Sequence, residues 1–219
     1  MIDVRRIDGN DKPLNLNGSH VLYWMTSARR ARWNHALDHA VELANEHHVP
    51  LIVVECLALG HRWANDRIHT FVLQGMIDNR KLFEMSAVTY VPYVETKKSQ
   101  ARGLLQSFAK DAVAVVIDDY PTYMPREVAQ RAKDIAPCSV RCIDSNGVVP
   151  LRAPERSFST AHSFRRYIHK NVLNFIAEPP LSDPLKELDD VPDGSAIVKQ
   201  CFDEVNVPLT PLELSLIHI

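Results

Sequence analysis

Glycine is scarce in this sequence, with 7 glycines among 219 residues. They form neither G-x-G-x-x-G nor G-x-x-x-x-G-K-[ST], the motifs in which glycine lets backbone amides approach a pyrophosphate at a helix N-terminus. The turn after the first predicted strand, residues 25–30, contains no glycine and ends in Arg29 and Arg30. A dinucleotide-dependent dehydrogenase or a P-loop enzyme is therefore not indicated.

Long apolar runs and an excess of one charge are also missing. No stretch approaches the length of a membrane span, and residues 1–17 are too polar for a signal peptide. The formal net charge is −2, so any contact with nucleic acid has to come from a local patch. Four cysteines without a signal peptide indicate free thiols in a reducing compartment. We therefore interpret the protein as cytoplasmic.

Strand-like and helix-like patterns alternate between residues 19 and 144. Short apolar runs are separated by segments in which apolar residues recur at the helical period. This alternation predicts an α/β fold, namely a five-stranded doubly wound parallel sheet with helices on both faces. The predicted strands are 20–24, 51–56, 87–94, 113–117 and 139–143.

The pattern changes beyond residue 144. Apolar residues at helical spacing predict one more amphipathic helix between Ala161 and Phe175. From residue 177 onward, closely spaced prolines and acids predict an irregular extension without long elements. The end of the sequence, 214–219, lacks any cap or tail signal; we interpret it as a truncated reading frame, with a natural short C-terminus as the alternative.

These patterns divide the chain into four parts. They are an N-terminal tail (1–18), an α/β domain (19–150), a basic loop and helix (151–176), and a Pro-rich acidic linker (177–219).

Two pairs of potential metal ligands are better explained without a metal. His35 and His39 lie four residues apart, a spacing that can chelate a metal from one helix face, but the glutamate of H-E-x-x-H is missing. Cys138 and Cys142 lie about 13 Å apart on a predicted strand that rises about 3.3 Å per residue. We expect two helix histidines and two small core residues, and no metal site.

Two charged groups are candidates for binding. Asp118 and Asp119 follow the most apolar strand, at the end where open α/β sheets place their ligands, although capping the next turn explains them equally well. Farther along, a basic group could track phosphates, and a solvated helix face is the alternative interpretation. Its members are Arg152, Arg156, Arg165, Arg166 and Lys170.

Four segments, in order, resemble the photolyase/cryptochrome family, and most closely its class II cyclobutane-dimer photolyases. Residues 21–37 are similar to Y-W-M-S-R-D-x-R-x-x-x-N-W-A-L, and residues 67–76 to R-x-x-F-x-L-x-G-L. Residues 115–128 resemble the strand, acid and proline loop that follows, and residues 143–172 resemble D-x-x-N-x-V-P followed by A-R-T-x-R-x-K-I. The matching residues are Tyr23, Trp24, Met25, Ser27, Arg32, Asn34, Ala36, Leu37, Arg67, Phe71, Leu73, Gly75, Asp118, Pro121, Arg126, Asp144, Asn146, Val149, Pro150, Ala161, Arg165 and Ile168.

The sequence departs from the family pattern at a few positions. His35 replaces a tryptophan, Leu151 and Arg152 replace a small residue and a tryptophan, and His162 replaces an arginine. The resemblance nevertheless extends over residues 20–175. It implies blue-light-driven electron donation from reduced FAD to a pyrimidine dimer in damaged DNA.

The resemblance also implies that two domains of the complete protein bind different groups. The flavin and the lesion would be bound by an all-helical FAD domain that is missing from this chain, so we assign no catalytic residue here and expect the chain alone to be inactive. In this family the α/β half can hold an antenna pigment, a folate or a deazaflavin. A pigment outside the carboxyl ends of the strands is expected near Met25, Ser27, Cys56 and Asp118. The residues expected to face DNA are Arg165, Arg166 and Lys170.

The likeness to the family, together with the residue pattern, predicts the strand order 3-2-1-4-5. Pro92 suits an edge strand, and the apolar run 113–117 suits the centre of the sheet.

Two alternative functions remain open at this point. A cryptochrome-type blue-light photoreceptor would share this domain and differ only in the flavin half. A nucleotide-binding module of the universal-stress kind would have a similar sheet, but the glycine-poor first turn and the lack of a late G-x-x-G argue against it.

Overall fold

The computed structural model of the chain describes residues 2–60, 62 and 64–209, so the interpreted truncation at 214–219 lies outside the described residues. Six strands form a single sheet: β1 (Ile7–Gly9), β2 (His20–Met25), β3 (Leu51–Leu57), β4 (Thr89–Val94), β5 (Ala112–Asp118) and β6 (Ser139–Ile143). Their order across the sheet is β1-β6-β5-β2-β3-β4.

Within the described residues, six α-helices accompany the sheet: α1 (His35–His47), α2 (Asp66–Phe83), α3 (Leu104–Lys110), α4 (Tyr123–Ile135), α5 (Ala161–Ile176) and α6 (Ser195–Glu204). Helix α1 packs its apolar side on one face of β2, β3 and β5. Helices α3, α4 and α6 bury theirs on the opposite face. Helices therefore cover both faces, which confirms the predicted α/β, doubly wound architecture.

The predicted order of the five parallel strands is confirmed. Counted along the chain, they are β2 to β6, and they lie in the order 3-2-1-4-5. Every residue of β5 is buried between β2 and β6. Pro92 lies on β4, at the edge of the sheet opposite Glu55 of β3, where the missing N–H of proline does not interrupt a central ladder.

The prediction of five strands is wrong at one point, because a sixth strand lies within residues 1–18. Strand β1 adds an antiparallel edge, with Ile7 opposite Ile143 and Gly9 opposite Arg141. Glycine is required there, because a Cβ at Gly9 would lie 2.1 Å from the Val140 carbonyl oxygen. A strand of three residues is too short to show a period in the sequence, and for that reason the pattern missed it.

The prediction that residues 177–219 contain no long element is also wrong, because α6 spans ten of them. No proline interrupts the sequence between Pro192 and Pro208, which leaves room for the helix. Its Phe202 packs edge-to-face on Tyr93 and Phe108, with ring centroids 5.4 and 6.1 Å apart. The acidic extension thus contributes to the core of the sheet.

Residues 181–194, which we call the strap, connect the two faces of the sheet. The Leu181 carbonyl accepts a hydrogen bond from the Trp33 amide at 3.1 Å, and the Asn45 side chain donates to the Glu187 carbonyl at 2.6 Å. At the far end, the Gly194 amide donates to the Thr89 hydroxyl at 2.9 Å. The strap therefore runs over α1 and past the beginning of β4 before α6 docks on the other side.

Candidate functional site

The most densely hydrogen-bonded acid of the carboxyl edge is Asp118, the last residue of β5. Its side chain is 1% exposed. One carboxylate oxygen accepts from the backbone amides of Thr26, Ser27 and Ala28 at 2.7, 2.7 and 3.0 Å, and the other accepts from the Tyr23 hydroxyl at 2.7 Å. Three successive amides that converge on one point form an anion-binding concavity. Here an internal carboxylate fills it.

Tyr23 and Asn34 extend this network into α1. The Asn34 side-chain amide donates to the Tyr23 hydroxyl at 3.0 Å. Its oxygen caps the helix by accepting from the amides of Ala36 and Leu37 at 3.0 and 3.3 Å. Burial, and then the neighbouring Asp118 charge, raise the pKa of Tyr23 well above its usual value, so its hydroxyl stays a donor.

A second carboxylate, Asp144, organises the loop after β6. It accepts from the amides of Asn146 at 2.9 Å and Leu151 at 2.6 Å, while the buried Arg6 guanidinium donates to the Asp144 carbonyl at 3.1 Å. The Asn146 side chain donates to the Asp119 carbonyl at 2.6 Å, which ties this loop to the one after β5. The Asp and Asn of the fourth motif are thus loop-forming residues.

Arg152, at a position where the sequence departs from the family pattern, forms ion pairs with two aspartates. Its guanidinium lies 2.6 Å from an Asp119 oxygen and 3.2 Å from an Asp8 oxygen. Asp8, on β1, also pairs with Lys133 of α4 at 2.5 Å. The arginine therefore links the loops after β5 and β6 to the added edge strand.

Sequence reasoning missed a third network, centred on Glu55 of β3. Glu55 is 1% exposed and accepts from Arg29 at 3.0 Å, Asn79 at 3.0 Å and the Tyr90 hydroxyl at 2.6 Å. Arg29 also donates to the Cys56 carbonyl at 2.6 Å. The available signal was one acid inside an otherwise apolar strand, because a buried carboxylate requires partners.

The four residues expected near an antenna pigment lie at the ends of the adjacent strands β5, β2 and β3. Met25 is 0% and Asp118 1% exposed, whereas Ser27 and Cys56 are only partly buried. Burial raises the pKa of the Cys56 thiol to about 12. Ser27 and Cys56 therefore present surface at this edge, while Met25 and Asp118 hold the loop from beneath; the antenna site stays a prediction.

The residues expected to face DNA lie on α5. Arg165, Arg166 and Lys170 are all exposed. The sequence predicts that the apolar side of this helix, through Phe164, Ile168 and Phe175, is partly uncovered, because the helix would normally pack on the domain that follows. The structure confirms this for Phe164, which is 46% exposed. The expectation is wrong for Phe175, which is 7% exposed.

The two pairs of potential metal ligands make other contacts in the structure. His39 lies 3.3 Å from the Glu42 carboxylate, and Cys138 and Cys142 are 2% and 1% exposed within the core. Across the described part of the chain, no three His, Cys, Asp or Glu side chains converge as a metal site would require. In the same residues, no helix has the length and apolar character needed to cross a bilayer.

The fold and this edge together define the class of the protein. It is an open, Rossmann-like α/β domain in which a carboxylate occupies the first βα turn, the turn that binds a nucleotide phosphate in related sheets. The family model for DNA photolyase matches residues 21–185, and the chain belongs to the DNA photolyase family. This confirms the family that the four sequence motifs indicated.

Two curated relatives share this description. The chain is 29% identical over 174 residues to the deoxyribodipyrimidine photo-lyase of Methanothermobacter thermautotrophicus, an alignment that covers 79% of this chain. It is 28% identical over 186 residues to that of Arabidopsis thaliana, covering 82% of this chain. The chain spans only 38% and 36% of the length of these relatives.

Solved structures of universal stress proteins also align with part of the chain. One from Archaeoglobus fulgidus covers 57% of it at 23% identity and a TM-score of 0.38. A universal stress protein structure from Archaeoglobus fulgidus in complex with dAMP aligns over 57% of the chain at 19% identity and a TM-score of 0.40.

Proposed function

We propose that this chain is the α/β part of a deoxyribodipyrimidine photolyase, most like the class II branch, that uses blue light to split cyclobutane pyrimidine dimers in damaged DNA. The observation that carries the proposal is the family match over residues 21–185. Two relatives named for this activity align with 79% and 82% of the chain and support it. We place the protein in the cytoplasm, in accord with its free thiols.

The photolyase family uses FAD, and the residues of the carboxyl edge do not fit its diphosphate. The three amides that could receive a phosphate at the first turn, those of Thr26, Ser27 and Ala28, already donate to Asp118. We therefore propose that the flavin and the flipped-out dimer bind to an all-helical domain contributed by the rest of the protein. The part described here supplies a support for that domain, namely the sheet of residues 19–150 extended by β1 and α6, together with the basic loop and helix at 151–176.

An antenna pigment, a folate or a deazaflavin, is proposed at the partly buried rim formed by Ser27 and Cys56. Added pigment should shift its absorption band and raise the melting temperature of the chain. Ser27→Phe should block both effects, whereas Ser157→Phe, at an exposed loop position, should leave them intact. An unchanged spectrum and melting temperature of the unmodified chain would show that it has no working antenna site.

The decisive experiment uses the complete gene in a bacterial strain without photolyase. After ultraviolet irradiation, blue light should restore survival relative to cells kept in the dark. Survival that is equal in light and dark, with light-driven flavin reduction in the purified protein, would instead identify a photoreceptor of the cryptochrome type. Tight ATP binding by the present chain would favour the universal-stress alternative, and we expect none because Asp118 occupies the phosphate position.

A further inference from the structure

Helix α5 has an outward face of uniform charge. The sixteen residues from Ala161 to Ile176 include no acid. At 3.6 residues per turn, Arg165, Arg166 and Lys170 lie within about 140° of one another around the helix, and all three are exposed. His162 and His169 are exposed on the same face.

The charge on this face is not compensated within the described residues. None of Arg165, Arg166 and Lys170 takes part in an ion pair there, in contrast to Arg5, whose guanidinium lies 2.6 Å from Asp3. Asp183, in the acidic segment that follows the helix, lies 3.7 Å from Lys186 within the same segment. The three positive charges therefore remain available to an external anion.

The helix is capped at its first turn and contacts the domain near its last turn. Thr160 caps its first turn by accepting from the Ser163 amide at 3.2 Å. Near its other end, Phe175 lies beneath the Arg5 guanidinium, 4.7 Å from ring centroid to carbon. A helix that is already formed presents its charges without the cost of ordering a loose segment.

The spacing of the charges suits a phosphate backbone. Residues 165 and 170 are about 7.5 Å apart along the helix axis at about 1.5 Å per residue. One strand of B-DNA presents a phosphate for about every 3.4 Å along the duplex axis, so charges spaced in this way can reach different phosphates. Arginine and lysine are the side chains that contribute most to such sequence-independent contacts.

We propose that this face of α5 binds the phosphate backbone of double-stranded DNA, so that the α/β domain adds affinity that does not depend on the lesion. The inference rests on the proposed function, which makes DNA the substrate. It assigns to Arg165, Arg166 and Lys170 a role in holding the duplex and none in the chemistry.

The test measures binding of an undamaged fluorescent duplex to the present chain by anisotropy, in the dark and without flavin. Three phosphate contacts give a slope of about −2.7 in log affinity against log salt, or about 40-fold weaker binding at 200 mM than at 50 mM salt. The triple variant R165Q/R166Q/K170Q should lose most of the affinity and nearly all of this slope. A control with the same change in charge, K97Q/K98Q/R102Q, replaces exposed residues before α3 and should bind as the unmodified chain does.

Equal losses in both triple variants would overturn the proposal, because total charge and not α5 would then set the affinity. The absence of binding by the unmodified chain at low salt would also overturn the proposal. If the oligomeric state is then measured and only the α5 variant shifts toward monomer, the face contacts protein and not DNA. Since the assay needs neither light nor a dimer, its failure leaves the proposal of DNA repair standing. Loss of repair in the complete protein, together with unchanged duplex binding, would contradict the proposal of DNA repair and leave the role of α5 standing.

Discussion

At the scale of single residues, buried carboxylates shape the carboxyl edge of this domain. Asp118 and Glu55 are each 1% exposed, and a buried ionised carboxylate is tolerated only where hydrogen bonds replace its water. Asp118 obtains three of them from backbone amides of one loop. The conformation of that loop therefore depends on an acid 90 residues away in the sequence.

Asp118→Asn should lower the free energy of unfolding by about 2–4 kcal/mol, because it removes the charge on which three amides converge and places an N–H donor opposite the Tyr23 hydroxyl. Urea unfolding measures this directly. Asp119→Asn is the matched control: Asp119 pairs with Arg152 near the surface, at 2.6 Å, and should cost about 1 kcal/mol or less. Equal losses at the two positions would contradict the role given to the amide cluster.

Asp38 makes stability depend on pH in a predictable direction. Burial raises the pKa of this carboxyl group from 3.8 to about 6, and one of its oxygens accepts from the Leu181 amide at 3.1 Å. Because the pKa is higher in the folded protein than in the unfolded chain, the ionised group costs stability above about pH 6. The cost, up to about 3 kcal/mol, is relieved as the pH falls toward 3.8.

Unfolding of the wild type and Asp38→Asn, compared from pH 4 to 7.5, measures this contribution together with any coupling to His35, whose Nδ1 lies 3.9 Å from the Asp38 carboxylate. The free energy of unfolding of the variant should increase relative to that of the wild type as the pH rises toward about 6. The comparison is necessary because burial lowers the pKa of His20 and of His35 to about 4. These histidines remove stability from both proteins as the pH falls below 6.5. A difference between the two proteins that is constant with pH would refute the assignment.

At the scale of elements, the sequence predicted those parts of the fold whose pattern is local. The strands β2, β3, β5 and β6 show as apolar runs, and the helices show their period, because one buried face repeats within each segment. The edge strand β1 and helix α6 escaped prediction, since each is stabilised by residues distant in the chain. Val198, Cys201 and Phe202 of α6, for example, join a core built by β-strands and α3.

In the candidate site, too, the sequence predicted what depends on local pattern and missed what depends on contacts between distant residues. Asp118 was identified by its place after a strand, yet its partners could not be foreseen, because they belong to a loop that meets β5 only in the folded sheet. Glu55 and its donors Arg29, Asn79 and Tyr90 come from four separate elements and loops. Their assembly is a property of the topology and leaves little trace in any one segment.

Phe202→Ala should destabilise the protein by about 3–5 kcal/mol, because it opens a cavity between α6, Tyr93 and Phe108. Phe202 is 2% exposed. The same substitution at Phe71, which is 77% exposed on α2, should change stability by less than about 1 kcal/mol. Calorimetric melting of the two variants provides the comparison; a similar small loss in both would mean that α6 is not part of the cooperative unit.

At the scale of the whole molecule, the strap joins the two faces of the sheet into one structure. It lies over α1 through Leu185 and Leu188 and continues into α6 on the opposite face. A segment that the sequence describes as a linker therefore belongs to the domain through residue 204. The chain continues toward residue 209 from the α3 side of the sheet.

The whole chain, as it stands, should repair no DNA. It spans 38% and 36% of its photolyase relatives, and its carboxyl edge has no free amide cluster at the first turn for the flavin diphosphate. Purified chain mixed with reduced FAD and dimer-containing DNA under blue light should match a protein-free control. Dimer loss above that control would show that this part of the protein performs the chemistry by itself.

The two margins of the sheet decide how this domain behaves at high concentration. Strand β1 offers three residues, and β4 carries Pro92 in its middle and is met at Thr89 by the strap. A chain that adds itself to a sheet needs a long row of free amides and carbonyls. Neither margin supplies one, so crowded solutions of this protein should resist growth into cross-β fibres.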